Sequence, residues 1–531
     1  GSVWSNIWAY IFSDNPTYRD RALAAVDGVL GVRDLSEFDG VYGAQVALVY
    51  DALFDQLTDA QKSDMESLLV RTCNDHNPGG WWETNLSNTS AEGARNAGLA
   101  ALALRGVWAE SASVVDDVAD IAANDFQAAR DDGSFIEGPT YWEYGFTPVF
   151  ELGYALQNAE GSDRGLLDAE RMANGHRFVE TMLAGDGTGY FPFNESNPLL
   201  CGWGICADLG SRYDNDLLRW LTDKMVEEAL AGARTYKVEN GIGLALLWRD
   251  NVEVPSFPGI PTLSVLEDTS WGVLRSESAY KPGISVGVKG DSGPWTHHYH
   301  EDAGSFTLYA GGEVFLLDPC YPNKAATDHS LPLVDGVGVR DTTEAPLVDA
   351  LEGTSMRHIA IDLQQAYGSS VVDRAQRSLA LAGDEALIVL DDIVPASGGT
   401  ITSQFQCGHP VTLQGANAAV ITGEASRMGV QCFGPDLTLD AVQRNWGKGW
   451  NAYRDSGYKW FELSSQYSAD AATPLVTVFT PMDMTGDLPL VDVTYTADLI
   501  TVSLPSGKTV RFENTGFGWE IRGEEIGRAS C

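Results

Sequence analysis

Three of the chain's eight histidines fall within four positions, in His297-His298-Tyr299-His300-Glu301-Asp302-Ala303-Gly304-Ser305-Phe306. Imidazole changes charge near neutral pH and is the commonest protein metal ligand, so this density points to proton transfer, metal binding or both. If the run is a strand, alternation sends His298 and His300 to one face, with Asp302 next in the row. His297 and Tyr299 then face the other way. The sharp reading is a site in which one histidine does chemistry while its neighbour holds a metal; a solvated polar edge is the plainer one. Downstream, Asp318 closes the apolar run Val314-Phe315-Leu316-Leu317, and His329 follows in Thr327-Asp328-His329-Ser330. Two imidazoles and a carboxylate (His300, His329 and Asp318) with a water completing the shell suit zinc. Their spacing is not diagnostic alone.

Two segments nearer the N-terminus also carry chemistry. Trp81-Trp82-Glu83-Thr84-Asn85-Leu86-Ser87-Asn88-Thr89-Ser90 pairs indoles with amides. A flat ring suits a pyranose face, and amides bond hydroxyls or a carboxylate. Equally, Asn88 or Ser90 could cap the following helix, with the tryptophans in a core. In Asp131-Asp132-Gly133-Ser134-Phe135-Ile136-Glu137-Gly138-Pro139-Thr140-Tyr141-Trp142-Glu143-Tyr144, Gly and Pro hold a loop before a helix. Tyr141 and Tyr144 lie three apart and share a helical face. A phenol held near cationic groups can exchange a proton as acid or base; both rings could instead line an aromatic core.

These residues need positioning elements, and the chain has two textures. From about 16 to 250, some nine segments carry apolar residues at three-and-four spacing, which predicts helices joined by short turns. Repeated hairpins of this kind suggest an open toroid, with a flat bundle as the alternative. Past Phe257-Pro258-Gly259 the period becomes two, as in Ile284, Val286 and Val288, and predicts an antiparallel β-sandwich. The expected division is a helical domain over 1–255 and a β domain over 256–531, with a smaller terminal β-subdomain after about 400 as an option. The histidine cluster falls on an early strand of the β half, and the site is expected at the junction.

Bulk properties narrow the partners. Against 74 acidic residues stand 34 basic ones, a net charge of −40 over 531 residues. That excludes nucleic acid and anionic membrane as main partners. No apolar run approaches the length of a membrane span. Seven cysteines are scattered, and only Cys201 and Cys206 are close enough in sequence to suggest a disulfide.

Together the motifs resemble the heparinase II/III-like polysaccharide lyases, which include alginate and glycosaminoglycan lyases. His298 to Phe306 is similar to the family's His-x-His-x-Asp-x-Gly-Ser-Phe run, and Phe315 to Asp318 to its next strand. His329-Ser330-Leu331-Pro332-Leu333-Val334-Asp335-Gly336 is similar to a third element that reads His-Asn in the family. Trp271 to Ser276 and Glu137-Gly138-Pro139-Thr140-Tyr141 complete the likeness, which spans roughly 75 to 395. The resemblance implies an α+β multidomain chain with an incomplete (α/α) toroid followed by an antiparallel β-sandwich. It implies that Tyr141 is the catalytic tyrosine, Asn88 (less so Asn85) the carboxylate-binding amide, and His298 the catalytic histidine. His300, Asp318 and His329 would hold a structural zinc, with no organic cofactor. An anionic polysaccharide or oligosaccharide substrate and a secreted or periplasmic bacterial location are implied as well. Two departures stand out: no histidine lies between Trp81 and Asn96, and Ser330 replaces the family's asparagine.

β-Elimination at a uronate removes the C5 proton beside a carboxylate and expels the 4-O-linked sugar. It needs donors aimed at the carboxylate, a base near C5 and an acid near the leaving oxygen. Asn88, His298 and Tyr141 supply an amide, an imidazole and a phenol. Trp81, Trp82, Asn85, Glu137 and Tyr144 are the expected substrate contacts, with Arg95 and Arg340 as candidates for anionic sugars. Two rivals use other features: a glycoside hydrolase with carboxylates from Asp131, Asp132, Glu137 and Glu143, and a non-catalytic carbohydrate-binding protein.

Overall fold

A computed structural model describes residues 2–528 except 32–40, 76–87, 126–127, 168–169, 186, 188, 233–237, 294–297, 319–323, 341–342, 446–458, 469–472, 517 and 523–525. Trp81, Trp82, Asn85 and His297 therefore lie outside the described residues. The chain divides into two compact units, residues 1–177 with 200–258, and residues 178–199 with 259–531.

The first unit is helical: α1 (Val3–Ser13), α2 (Pro16–Leu30), α3 (Val41–Leu53), α4 (Asp59–Asp75), α5 (Asn88–Ala103), α6 (Ser111–Asp125), α7 (Pro139–Glu160), α8 (Glu170–Ala173), α9 (Gly175–Met182, which runs on into the second unit), α10 (Trp203–Arg212), α11 (Asp216–Leu230) and α12 (Val238–Trp248). Local chemistry sets their ends. The Asn15 side chain accepts from the Thr17 N–H with Pro16 at the first turn, and Asn215 accepts from the Leu218 N–H. Each satisfies a donor that the helix leaves unpaired. Helix α7 opens on Pro139 and closes at Gly161, whose φ of 77° lies in the left-handed region.

Helix α1 packs on α3, α3 on α5, α5 on α7, α7 on α10, α10 on α12, and α12 back on α1. Helices α2, α4, α6 and α11 each lie against two consecutive members of that cycle. Five members line a cavity of about 400 Å³ walled by Trp4, Trp8, Leu102, Tyr154 and Trp248. The α5–α7 contact is close because α5 is built of small residues. A Cβ on Gly98 would stand 2.5 Å from Leu152 Cδ1. Two helices depart from the sequence expectation. Helix α1 precedes residue 16, and α10 occupies the stretch where the two cysteines suggested a bridge. Cys201 and Cys206 are buried thiols, and the Cys201 sulfur lies 3.5 Å from the Pro139 carbonyl oxygen.

The second unit is antiparallel sheet. One nine-stranded sheet runs in the order Leu263–Leu266, Trp271–Arg275, Ile284–Lys289, Phe306–Ala310, Glu313–Leu316, Thr400–Cys407, Lys459–Ser468, Thr438–Asn445, with Pro332–Val334 paired off the path to Thr400–Cys407. A second nine-stranded sheet has Leu475–Met482, Ala386–Pro395, Val372–Ala382 and Arg357–Asp362 at its centre. Leu379, Leu381, Leu387 and Val389 of the second sheet share one core with Val286, Phe306 and Phe405 of the first. The alternate residues Ala380, Ile388 and Leu390 pack on Ile500, Phe512 and Trp519 of a four-stranded sheet. Burial on both faces explains why 386–393 reads as an almost unbroken apolar run. The separate terminal sheet spans Asp492–Arg522 and does not begin near 400, because the strands from Thr400 to Met482 are hydrogen-bonded members of the large sheets.

Segment 178–199 belongs to this unit for a local reason. The buried Arg275 guanidinium donates to the carbonyl oxygens of Glu180, Thr181 and Leu183 at 3.1, 2.8 and 3.0 Å. Among the described residues no helix is long and apolar enough to cross a membrane.

Candidate functional site

The histidine run is not a strand. Residues 298–305 form a connection before the strand Phe306–Ala310. His298 has φ of 57°, in the left-handed region that L side chains rarely adopt. That single backbone reversal breaks the alternation expected from the sequence, so His298 and His300 do not share a sheet face.

His298 is held by a residue the sequence reading missed. Glu195 is buried, with its Oε2 2.5 Å from His298 Nδ1 and its N–H donating to the His298 carbonyl at 3.2 Å. Its other oxygen pairs with Lys324 Nζ. Burial pushes the Glu195 carboxyl up, but hydrogen bonds from His298 and Lys324 outweigh it and hold the group below the usual carboxylate range. A carboxylate on Nδ1 fixes the ring's orientation and tautomer, so in the neutral ring Nε2 carries the lone pair. The only advance signal was an acidic residue in the Pro/Asn-rich stretch Phe191–Pro198.

His300, Asp318 and His329 do converge. One ligand atom from each lies within 4.8 Å of the others, and all three side chains are buried. His329 Nδ1 is 3.1 Å from Asp318 Oδ2, and the two imidazole centroids are 5.1 Å apart. Both ring nitrogens of His300 and Nε2 of His329 are buried with no hydrogen-bond partner among the described residues. Buried polar atoms left unpaired are costly, and a cation would take one ring-nitrogen lone pair from each histidine. Burial, with the charge of His329 beside it, keeps His300 well below the ordinary histidine range and so in the neutral ligand form. For His329 burial opposes protonation, but the Asp318 carboxylate prevails and raises the imidazole above its ordinary value. The donor set fits zinc.

The connections that carry these ligands are pinned from beneath. Arg377, fully buried, meets Asp391 through two bonds of 2.7 and 3.0 Å. Its remaining donors reach the carbonyls of Gly304 at 2.8 Å and Ser330 at 2.7 Å. Gln404 donates to the His329 carbonyl at 2.9 Å, and the Ser330 hydroxyl accepts from the Gln406 N–H at 2.9 Å. The Ser330 side chain thus holds the backbone of the Thr400–Cys407 strand. Asp302 does not join the ligands; it is buried against Lys289.

In the helical unit, Asn88 begins α5 and Tyr141 sits in the first turn of α7. Glu137 ties them together: its Oε2 accepts from the Asn88 N–H at 3.2 Å, four residues before Tyr141. Asn88 Oδ1 is buried without a hydrogen-bond partner among the described residues. Tyr141 and Tyr144 are both half-buried, with ring centroids 5.8 Å apart. Glu137 is therefore a brace for Asn88 in this structure. Arg95 differs from the expectation of a sugar contact. It is buried, pairs with Glu151 of α7 at 2.7 Å and with Glu92, and joins α5 to α7. Arg340 is exposed, and its backbone N–H donates to the Ala366 carbonyl at 3.0 Å. Of the carboxylates a hydrolase would use, Asp132 is buried and accepts from the Ser134 N–H, Glu143 is buried, and Asp131 pairs with Arg171 at 2.8 Å.

No protein-family model matches the chain, and no curated protein matches it. Solved structures do. A heparinase III structure superposes with a TM-score of 0.67 at 13% identity, covering 95% of this chain and 81% of that one. A heparan sulfate lyase of Pedobacter heparinus gives 0.63 at 12% identity, covering 98% and 81%. A chondroitin AC lyase of Streptomyces coelicolor gives 0.54 at 13% identity, covering 96% and 79%. The chain has the fold of these glycosaminoglycan lyases over almost its whole length.

Proposed function

We propose that the chain is a polysaccharide lyase that cleaves a uronic-acid-containing polysaccharide or oligosaccharide by β-elimination, on an incomplete (α/α) toroid and a β-sandwich. The cyclic packing of six helices and the core shared by two nine-stranded sheets support that architecture. One observation carries the functional reading. On a chain with the heparinase III fold, His298 is fixed through Nδ1 by a buried carboxylate, two residues before a buried His/Asp/His cluster.

The chemistry follows from the groups. Abstraction of the C5 proton leaves charge on the substrate carboxylate, and the C4–O bond then breaks as a C4–C5 double bond forms. The Asn88 amide and the His298 imidazole serve to bind and neutralise that carboxylate, and donors of this kind are the largest single source of stabilisation for such intermediates. Tyr141 moves the proton: as the phenolate it takes the C5 proton, and as the phenol so formed it gives that proton to the leaving oxygen. His300, Asp318 and His329 would hold a zinc ion, which supplies a structural clamp for the connection that presents His298. The hydrolase reading is disfavoured because its carboxylates are committed: Asp132 and Glu137 hold backbone N–H groups. A substrate of this size and kind places the protein outside the cytoplasm, secreted or periplasmic. Alginate-like and glycosaminoglycan-like polymers offer the same C5 chemistry.

The test is the ultraviolet absorbance of an unsaturated uronate while the protein meets a panel of uronate polymers. Tyr141→Phe, with an unchanged melting temperature, should lose about 10³-fold in kcat, within the range general acid–base catalysis supplies. Reducing ends without the unsaturated chromophore would instead establish a hydrolase, and an undiminished Tyr141→Phe would remove Tyr141 from the chemistry.

A further inference from the structure

We infer that the cavity enclosed by the helical unit is a second binding site, for a small amphipathic cation: an apolar or aromatic body carrying one protonated or quaternary ammonium group.

The cavity stands apart from the groups assigned to elimination. Its walls all belong to the helical unit, and its volume of about 400 Å³ lies in the range of small-molecule sites. Asn88 opens α5 and Tyr141 stands in the first turn of α7, whereas Leu102 and Asn158 line the cavity from the far ends of the same helices. At about 1.5 Å per residue the separation is roughly 20–25 Å along each helix. Asp51, Asn158 and Leu247, in the last turns of α3, α7 and α12, are exposed, whereas Glu151 and Leu244 one to two turns earlier are buried. The cavity therefore opens at the C-terminal ends of these helices.

Two properties select the ligand. The walls are mostly apolar: Trp4 and Trp8 stack with ring planes 10° apart, Tyr154 stacks on Trp248 at 5.1 Å, and leucines and alanines fill much of the rest. Rings packed in this way are in place before a ligand arrives, so they receive a hydrocarbon body at little cost in ordering. The mouth is negative. Helices α3, α5, α7 and α12 end there with the carbonyl pole of their dipoles, and none of the four has a basic residue in its last turn. Asp51 adds a carboxylate in the last turn of α3, where the dipole of its own helix disfavours it. An ammonium group in the mouth would relieve that cost.

Four arginines beside the cavity are each matched by a carboxylate. Arg95 lies between Glu92 and Glu151, and Arg105 pairs with Glu160 while donating to the Ala159 carbonyl at 3.3 Å. Arg212 pairs with Asp208 next to the Tyr154 hydroxyl, and Arg249 pairs with Asp223. Asp51 has no ion-pair partner among the described residues. The same field repels an anionic sugar, so this cavity and the proposed catalytic groups take ligands of opposite charge.

The experiment is calorimetric titration of the intact protein with benzyltrimethylammonium, its neutral isostere neopentylbenzene, and the anion phenylmethanesulfonate. About one equivalent of the cation should bind, at least about tenfold more tightly than either other probe. Asp51→Asn, at an exposed position, should weaken the cation about fivefold or more and leave the neutral probe unchanged. Ala155→Phe, which fills the cavity from α7, should abolish binding at an unchanged melting temperature. No saturable binding of the cation, equal affinity for the neutral isostere, tighter binding of the anion, or an Asp51→Asn titration indistinguishable from wild type would each overturn the inference. None of these outcomes touches the lyase reading, on which the inference does not rest.

Discussion

The two units hold their candidate functional side chains by different physics. Asn88 and Tyr141 open the long helices α5 and α7, and their positions follow from helix geometry, a proline at the first turn and one bracing carboxylate, Glu137. His298, His300, Asp318 and His329 all lie outside regular strands and helices. Their positions depend on charged partners: Glu195, brought from far along the chain and paired also with Lys324, and the Arg377–Asp391 pair. A helix start is stiff because its ladder is cooperative. A connection tied by buried charge is stiff only while each charge keeps its partner.

Metal removal should break that contrast most visibly. The His300–Asp318–His329 cluster has unpaired ring nitrogens in a buried site, so a bound zinc should contribute several kcal/mol to the second unit alone. Protein purified without chelator should carry about one zinc per chain, and a strong chelator should lower the melting transition of the sheet unit by about 5–10 °C. Helical content at temperatures below that transition should not change. Absence of stoichiometric metal, or a melt indifferent to chelation, would mean that the cluster is satisfied in another way.

Glu195 tests the same contrast at the level of catalysis. Glu195→Gln keeps the shape but removes the charge that orients the imidazole, and should lower kcat by about tenfold to a hundredfold with a smaller change in KM. The effect should appear as an altered pH profile, since the ring loses its anionic partner. Glu137→Gln, its counterpart in the helical unit, keeps an acceptor for the Asn88 N–H and should leave the pH profile in place. If the Glu195 variant loses stability but keeps the wild-type pH profile, Glu195 is a strut and does not position the ring.

How much of this was legible follows from the same division. Helical periodicity exposes the α5 and α7 faces, and the Gly-Pro before Tyr141 marks a helix start, so those two helices could be read from the sequence. The His300, Asp318 and His329 trio was readable as ligand chemistry because the residue types are unusual. What could not be read is how His298 is held. A positive φ at a non-glycine residue has no sequence signature, and the partner Glu195 lies 103 residues away. Arg95 was misassigned because a sequence cannot show that a cation is already buried between two carboxylates. The short stripe of α1 was overlooked, and the glycines and cysteines of α10 masked a helix whose face is nonetheless buried.

A smaller effect sharpens the comparison, because Glu313 is a carboxylate of the sheet unit held mainly by neutral donors. It accepts from the Ser426 N–H at 2.8 Å and the Ser426 hydroxyl at 2.6 Å, with the Glu424 and Ala425 N–H groups alongside. Burial pushes its carboxyl up, but these bonds prevail and hold it below the usual range. A carboxylate depressed in the folded state contributes stability above its unfolded pKa, and loses it as pH falls through the folded one. Glu313→Gln should therefore cost about 1–2 kcal/mol at neutral pH. The gap between variant and wild type should close as pH drops below the ordinary carboxylate range. Denaturant melts of the two proteins at a series of pH values measure it. A gap that persists undiminished in acid would show that shape, not charge, holds the 423–426 turn, and that dependence on charge is confined to the connection bearing His298.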